Sequence, residues 1–535
     1  MKKNGKIENI EETGKMNKKN NCDTMLLAGI TLLLLGINAI RLFISSISGD
    51  EGFSFMLAKM TIPDMIAATG ADVHPPFYYL MIMVFGKLTG YTVLGGRVLS
   101  FLALIVAGIA ANTYLKKRFG SYAAAIAFAL LTFTTNCIDM VVEIRMYTWS
   151  MVFVTVTGLF AYELIRAAET WKAVRKGQIG KWVGLTVFGL LAGYTHYYAL
   201  IMVAFIYVFL FIVLVWYDRK NVIPCVICSI VCVAIYFPWL LVLLKQFGTV
   251  SNDYWISDIE VKDWIRYIFG DDRFGRLLRL IMVVAAAICI LTKDGLLIQS
   301  NLPEKGKAIL GRKKGNKTAT DRKGIMEASE QSDKAQAYIH VNWDITTLDA
   351  KQLFVLMSGI TTIGTIALAA VVSYVFRPLY VARYIYSAMG LVTLAFGISF
   401  THCSKKKIYS LLLLVCVFLF GLGSFQKVYS LEKTYGTDST MAYFKENLQA
   451  EDIILTNDQQ LSWTVLRYYF PDRVTDQLGY HDLMTEDYRV AWFMNSGSGD
   501  LDERITEYEN KGLKVTFICD GGIGRYPYAL YKIEK

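Results

Sequence analysis

MLLAGITLLLLGINAIRLFISSISGDEG, residues 25–52, is the stretch that decides the fold. From Met25 to Ile47 it is apolar over the length a helix needs to cross a bilayer, about 20 residues. It then passes directly into Gly49-Asp50-Glu51-Gly52. A first span ending in two carboxylates sets them at the membrane–water boundary, where charge is costly unless water, a cation or chemistry accounts for it. Two readings stand side by side. Asp50 and Glu51 can cap an interfacial helix that follows, because acids favour helix N-termini, or they can do chemistry.

Working outward, the whole chain fits this beginning. Over 535 residues, 54% hydrophobic, an ordinary soluble protein is excluded. The net charge of +10 does not point to nucleic acid, because the basic residues gather in short segments between apolar runs, where they set orientation. Residues 1–24 form a polar, Lys-rich cytoplasmic leader, with no small-residue cleavage site after the apolar run, so the first span is expected to be retained. The nine cysteines lie mostly within apolar runs and suggest no disulfide framework. Cys225, Cys228 and Cys232 share a helical face, which suits helix packing better than a metal.

Counting positive charges predicts about eleven spans within residues 25–428, with the N-terminus cytoplasmic: 25–47, 95–115, 121–139, 148–165, 182–195, 199–217, 222–244, 277–292, 352–373, 384–401 and 408–427. Residues 53–89 read as juxtamembrane helices at the outer interface, which keeps Lys116-Lys117-Arg118 inside. The basic segment 293–351 reads as a flexible cytoplasmic loop leaning on anionic lipid. From 429 to 535 the composition becomes soluble, with more acidic than basic residues. Apolar strand-like and helix-like segments alternate there, predicting a small extracytoplasmic α/β domain. Asp520-Gly521-Gly522-Ile523-Gly524 lacks a following helix and reads as a turn, not a phosphate loop.

Four polar constellations fall on the outer side: Asp50-Glu51; Asp72 and His74 ahead of Pro75-Pro76-Phe77-Tyr78-Tyr79; Glu143, Arg145 and Tyr147; and Arg377 with Arg383-Tyr384. Guanidiniums can neutralise a phosphate leaving group by paired hydrogen bonds, and a carboxylate can take the proton of an incoming hydroxyl. Each also has a blander reading. Glu143 and Arg145 can be a structural ion pair, His74 can close a tight turn, and His196, beside Tyr197 and Tyr198, can belong to an interfacial aromatic belt.

The order Asp-Glu after the first span, His74-Pro75-Pro76-Phe77-Tyr78-Tyr79, Gly96-Arg97-Val98-Leu99-Ser100, Glu143-x-Arg145-x-Tyr147 and Thr195-His196-Tyr197-Tyr198 resembles the GT-C glycosyltransferases. Within them it is similar to the bacterial branch related to protein O-mannosyltransferases and lipid A aminoarabinose transferases. The resemblance covers roughly residues 25–430 and is densest before residue 200. It implies an inverting sugar transfer from a polyprenyl-phosphate carrier to a hydroxyl of a cell-envelope acceptor, at the outer face of a bacterial cell membrane. By the same resemblance Asp50 is the general base, with Glu51 as its partner in orienting the acceptor or a cation. Glu143 and Arg145 would lie over the donor phosphate; apart from the resemblance, Arg377 or Arg383 can join Arg145 in stabilising the departing phosphate. The aromatic rows holding Tyr78 and Tyr197 line sugar or lipid, alongside His74, Tyr147 and His196. Some relatives hold a divalent metal, for which Asp72, His74 and His196 are the ligands on offer, with Asp72 and His74 the first choice, though no strict metal spacing is present. The rival from another class is a lipid or glycan transporter or flippase, which would place ionisable residues in mid-span.

Overall fold

In a computed structural model the chain is described at residues 4–169, 178–249, 264–292, 348–375, 380–496 and 501–535. Arg377 and nearly all of the 293–351 segment lie outside these residues.

The chain is a polytopic helical membrane protein with a small sheet domain at its C-terminal end. Each of the eleven expected spans coincides with a helix. Among the described residues, nine helices are long and apolar enough to cross a membrane. The first is α1 (Asn4–Ala39). Three short helices follow it, α2 (Gly49–Ala58), α3 (Ile62–Ala71) and α4 (Phe77–Thr89), where juxtamembrane helices were expected. Then α5 (Val93–Ala110) runs on through a wide π turn, Ala111–Leu115, into α6 (Lys116–Phe119).

Two of the expected spans fall on helices outside those nine, α7 (Ser121–Phe133, 13 residues) and α10 (Ile179–Thr195, 17 residues). At 1.5 Å per residue α7 reaches about 20 Å, short of a bilayer's hydrocarbon core. It can be short because it lies inside the protein: every residue from Ala123 to Phe133 is buried. After α8 (Thr135–Met140) come α9 (Tyr147–Glu169), α11 (Tyr197–Tyr217), α12 (Val222–Thr249), α13 (Arg273–Leu291), α14 (Ala350–Val375), α15 (Met389–Cys403) and α16 (Lys407–Thr434). Two glycines let helices close on α7. A Cβ at Gly397 would stand 2.4 Å from the Ala123 carbonyl oxygen, and one at Gly421 would stand 2.3 Å from that of Phe133. Small residues of this kind allow backbones to approach in membrane bundles.

The C-terminal domain begins with α17 (Thr437–Asn447) and carries a five-stranded mixed sheet in the order β2-β1-β3-β5-β4. Its strands are β1 (Ile453–Thr456), β2 (Thr475–Gln477), β3 (Ala491–Asn495), β4 (Lys514–Ile523) and β5 (Tyr526–Glu534). β1 pairs in parallel with β2 and β3, while β5 is antiparallel to β3 and β4. One more helix, α18 (Leu501–Asn510), precedes β4. The glycine run at 520–524 is mostly strand, and the turn is confined to Gly524-Arg525 between β4 and β5. Gly524 has φ +63°, and a Cβ there would lie 2.4 Å from the Ile47 carbonyl oxygen. This hairpin tip is therefore wedged against the loop leading to Asp50. Tyr469 and Tyr468 fasten the same face by donating to the carbonyls of Ser45 (2.6 Å) and Tyr91 (3.1 Å).

Candidate active site

The site is built on the N-terminus of α2. Ser48 is its N-cap and forms a capping box with Glu51: the Ser48 side chain accepts from the Glu51 N–H, and Glu51 Oε2 accepts from the Ser48 N–H at 2.7 Å. The other oxygen, Oε1, accepts from the Ile144 N–H at 2.9 Å. Glu51 is fully buried, and both its oxygens are taken. It braces α2 against the 141–146 segment, so the capping reading describes Glu51. Asp50, one position earlier, points elsewhere. Its Oδ2 meets Arg383 Nη2 at 2.8 Å, and both side chains remain partly exposed, 26% and 31%.

Arg145 is the hub. Its Nη1 donates to the Asp50 carbonyl (3.2 Å), to Ser54 Oγ (3.4 Å) and to Tyr79 Oη (3.4 Å), while Nη2 faces His74 Nε2 at 3.4 Å. His74 Nδ1 lies 3.0 Å from Asp72 Oδ2. One guanidinium thus ties together α2, α4 and the His-Pro-Pro turn. The Gly96-Arg97-Val98-Leu99-Ser100 run is its scaffold. Ser100 Oγ donates to the Glu143 carbonyl (2.5 Å), and Arg97 Nη2 donates to that of Ser46 (2.6 Å).

A ring of aromatic side chains closes the other side. His196 and Tyr384 ring centroids are 4.7 Å apart, with Tyr147 6.0 Å from His196 and the Arg383 guanidinium 6.0 Å from the Tyr147 ring. Tyr78 packs beside Tyr79. Tyr197 turns toward α12 instead, donating to Gln246 Oε1 at 2.5 Å and accepting from Trp239 Nε1 at 3.1 Å. The structure therefore gathers Asp50, Glu51, Asp72, His74, Tyr78, Glu143, Arg145, Tyr147, His196 and Arg383, and sets Tyr197 at the margin.

Buried polar atoms normally find a partner. Here Glu143 Oε2, Arg145 Nε, Tyr147 Oη and His196 Nε2 are all buried with no protein partner. His196 is kept neutral by burial, reinforced by the positive charges of His74, Arg145 and Arg383. Its Nδ1 accepts from the Tyr198 N–H at 3.1 Å, so the ring proton sits on Nε2. That N–H is a donor without an acceptor. Burial, aided by the charges of Glu51 and Asp50 and opposed by Arg525 and Arg383, pushes the Glu143 carboxyl up to about 7. Burial also acts to raise Asp50, but Arg145, Arg383 and His74 outweigh it and hold that carboxyl below the usual range. Two carboxylates held apart in this way suit different roles.

The two residues named for a divalent metal, Asp72 and His74, face one another and Arg145. They are bonded to each other, and the free face of His74 meets a guanidinium that would repel a metal ion. Among the described residues no three His, Cys, Asp or Glu side chains are grouped so as to hold a metal ion.

Two arginines were not anticipated. Arg41, inside the first apolar run, is buried and bonds Glu432 at 2.9 and 2.7 Å. A charge within an apolar run was the available signal. Arg525, at the wedged hairpin tip, reaches to 3.9 Å from the same Glu432 and is the strongest positive influence on Glu143. Nothing in its local sequence marks it.

No protein family model and no curated protein matches the chain. Solved structures do. ArnT from Cupriavidus metallidurans in the apo state aligns over 95% of this chain and 97% of its own, at 11% identity and TM-score 0.45. ArnT of the same organism bound to undecaprenyl phosphate aligns over the same shares, at 13% identity and TM-score 0.51. The chain shares the fold of that protein over 95% of its length.

Proposed function

We propose that this protein is a membrane glycosyltransferase that moves a sugar from a polyprenyl-phosphate carrier to a hydroxyl of a cell-envelope acceptor, with inversion. The observation that carries the reading is a convergence at one end of an ArnT-like bundle. There Asp50 stands at the rim against Arg383, above four buried polar atoms that lack partners. The neighbouring fold that binds undecaprenyl phosphate supports the lipid carrier. The charged residues of the site, Asp50, Glu143, Arg145 and Arg383, lie at helix starts or in the segments between helices, not in mid-span as a transporter would need.

In this mechanism the acceptor oxygen attacks the anomeric carbon while Asp50 takes its proton. The bond from that carbon to the phosphate oxygen breaks, and the lipid phosphate leaves with the electron pair. Arg145 and Arg383 hold the developing charge, and Arg377, outside the described residues, would join them. The Nε2–H of His196 and the hydroxyl of Tyr147 are donors for donor oxygens, while His74 and Tyr78 shape the wall. Glu51 acts as a positioning residue for Asp50. Glu143 can lie over a phosphate only when it carries a proton, which a value of about 7 allows. The same value makes Glu143 the second candidate for the base, since a base is most effective near working pH.

The test is transfer in proteoliposomes by the purified protein, from undecaprenyl-phosphate-linked sugars to envelope extracts, read by mass spectrometry. Sugar appearing on an acceptor with release of lipid phosphate is expected. Movement of intact donor between leaflets without bond cleavage would establish the transporter reading instead.

A further inference from the structure

We infer that the lysine-lined cavity at the end of the bundle opposite Asp50 binds a phosphate group carried on an anionic phospholipid of the adjacent leaflet. The cavity is about 750 Å³ and lies among Asp23, the end of α6, the start of α7 and the junction of α15 with α16. That volume falls within the range of small-ligand sites. It sits at the level where the apolar runs begin and end: Asp23 opens the first span, and Thr401 and Ser404 close α15. A headgroup lies at this level in a bilayer.

The lining is rich in donors. Lys116, Lys117, Lys405 and Lys407 face the cavity together with Asn112, Ser121 and Ser404. Lys407 is bound to Asp23, which also accepts from Tyr122 Oη at 3.3 Å. Among the described residues the other three lysines have no carboxylate within ion-pair distance. Ser404 Oγ is buried without a partner. Gly120 to Ala123, the cap and first turn of α7, also line the wall, and no side chain caps this 13-residue helix. Its free N–H groups and positive helix end add to the same field.

Two simpler accounts leave part of this unexplained. Lysines that only orient spans need no cavity. Lysines that only balance the C-terminal end of α6 would account for Lys116 and Lys117, but not for Lys405, the Ser404 hydroxyl or the open start of α7. A phosphodiester takes up all of them.

Native mass spectrometry of the full-length protein in detergent, with equal phosphatidylglycerol and phosphatidylcholine added, tests this. Since one lysine near an anionic surface is worth about fivefold in affinity, phosphatidylglycerol should be retained at least about fivefold over phosphatidylcholine. A K116Q/K117Q/K405Q variant, melting in lipid-free detergent where the wild type does, should lose the preference. The K116R/K117R/K405R variant should keep it. Equal retention of both lipids by the wild type, or a preference undiminished in the glutamine variant, overturns the proposal. Stabilisation by inorganic phosphate matching that by the lipid, and lost in the glutamine variant, would overturn the lipid source and leave a soluble phosphate.

Discussion

Two glutamates at the two ends of α9 have opposite surroundings. Glu163, near its C-terminal end, is saturated: Tyr114 Oη donates at 2.7 Å, Arg118 Nε lies at 2.6 Å, Arg166 Nη2 at 2.9 Å and Lys181 Nζ at 3.7 Å. Glu143, just ahead of the first turn, is buried as well, more deeply than Glu163, and leaves one oxygen without a partner. A carboxylate whose partners are all supplied by its own protein is an anchor. One buried without them costs stability and is kept for another purpose. The same contrast separates Glu51, with both oxygens engaged, from Asp50 at the rim.

The contrast can be broken by substitution. Glu143→Gln should stabilise the protein, and the sign follows from proton linkage. The folded carboxyl holds its proton to about pH 7, whereas an unfolded glutamate releases it near its ordinary value. Stability of the wild type therefore falls as pH rises between those two values. The variant escapes this loss, by roughly 3 kcal/mol above neutrality and by nothing in acid. Melting curves at several pH values check both the sign and the window.

Glu163→Gln should do the reverse. Loss of the charged partner of two arginines should cost about 2 kcal/mol and lower the melting temperature. The transfer rate per folded molecule should stay unchanged. Were Glu163→Gln to abolish transfer in a stable protein, the division between anchor and site would be wrong.

Smaller still is the effect of Arg525→Gln. Arg525 lowers the Glu143 carboxyl, so its removal should raise it, and the pH window of stability loss should extend upward. If Glu143 acts ionised, the acid limb of the transfer rate moves to higher pH as well. At neutral pH the rate should change by less than about tenfold. An unmoved pH profile would detach the C-terminal hairpin from the site.

Much of this was legible in the chain itself, for identifiable reasons. Apolar runs of helix length separated by lysine clusters fix where spans begin and end, which is why each expected span meets a helix. The polar islands between them hold Asp50, His74, Glu143, Arg145 and His196, and topology alone brings these to one end. What stayed hidden depends on contacts between distant segments. Glu51 and Asp50 are adjacent and chemically alike; only the capping box and the Ile144 N–H separate a brace from a rim carboxylate. Arg525 sits among glycines in a soluble domain and gains meaning only when Gly524 docks against Ile47. Strands β2 and β5 are hard to read from the chain because one is three residues long and the other begins Tyr526-Pro527, a weak strand signal.

The most direct test is the single-turnover rate of sugar transfer by Asp50→Asn in proteoliposomes, compared with wild type at equal donor occupancy and matched melting temperature. Removing a general base should slow the step by about a hundredfold or more while donor binding persists through Arg145 and Arg383. A wild-type rate in the folded variant would contradict the assignment of Asp50 and move the base to Glu143.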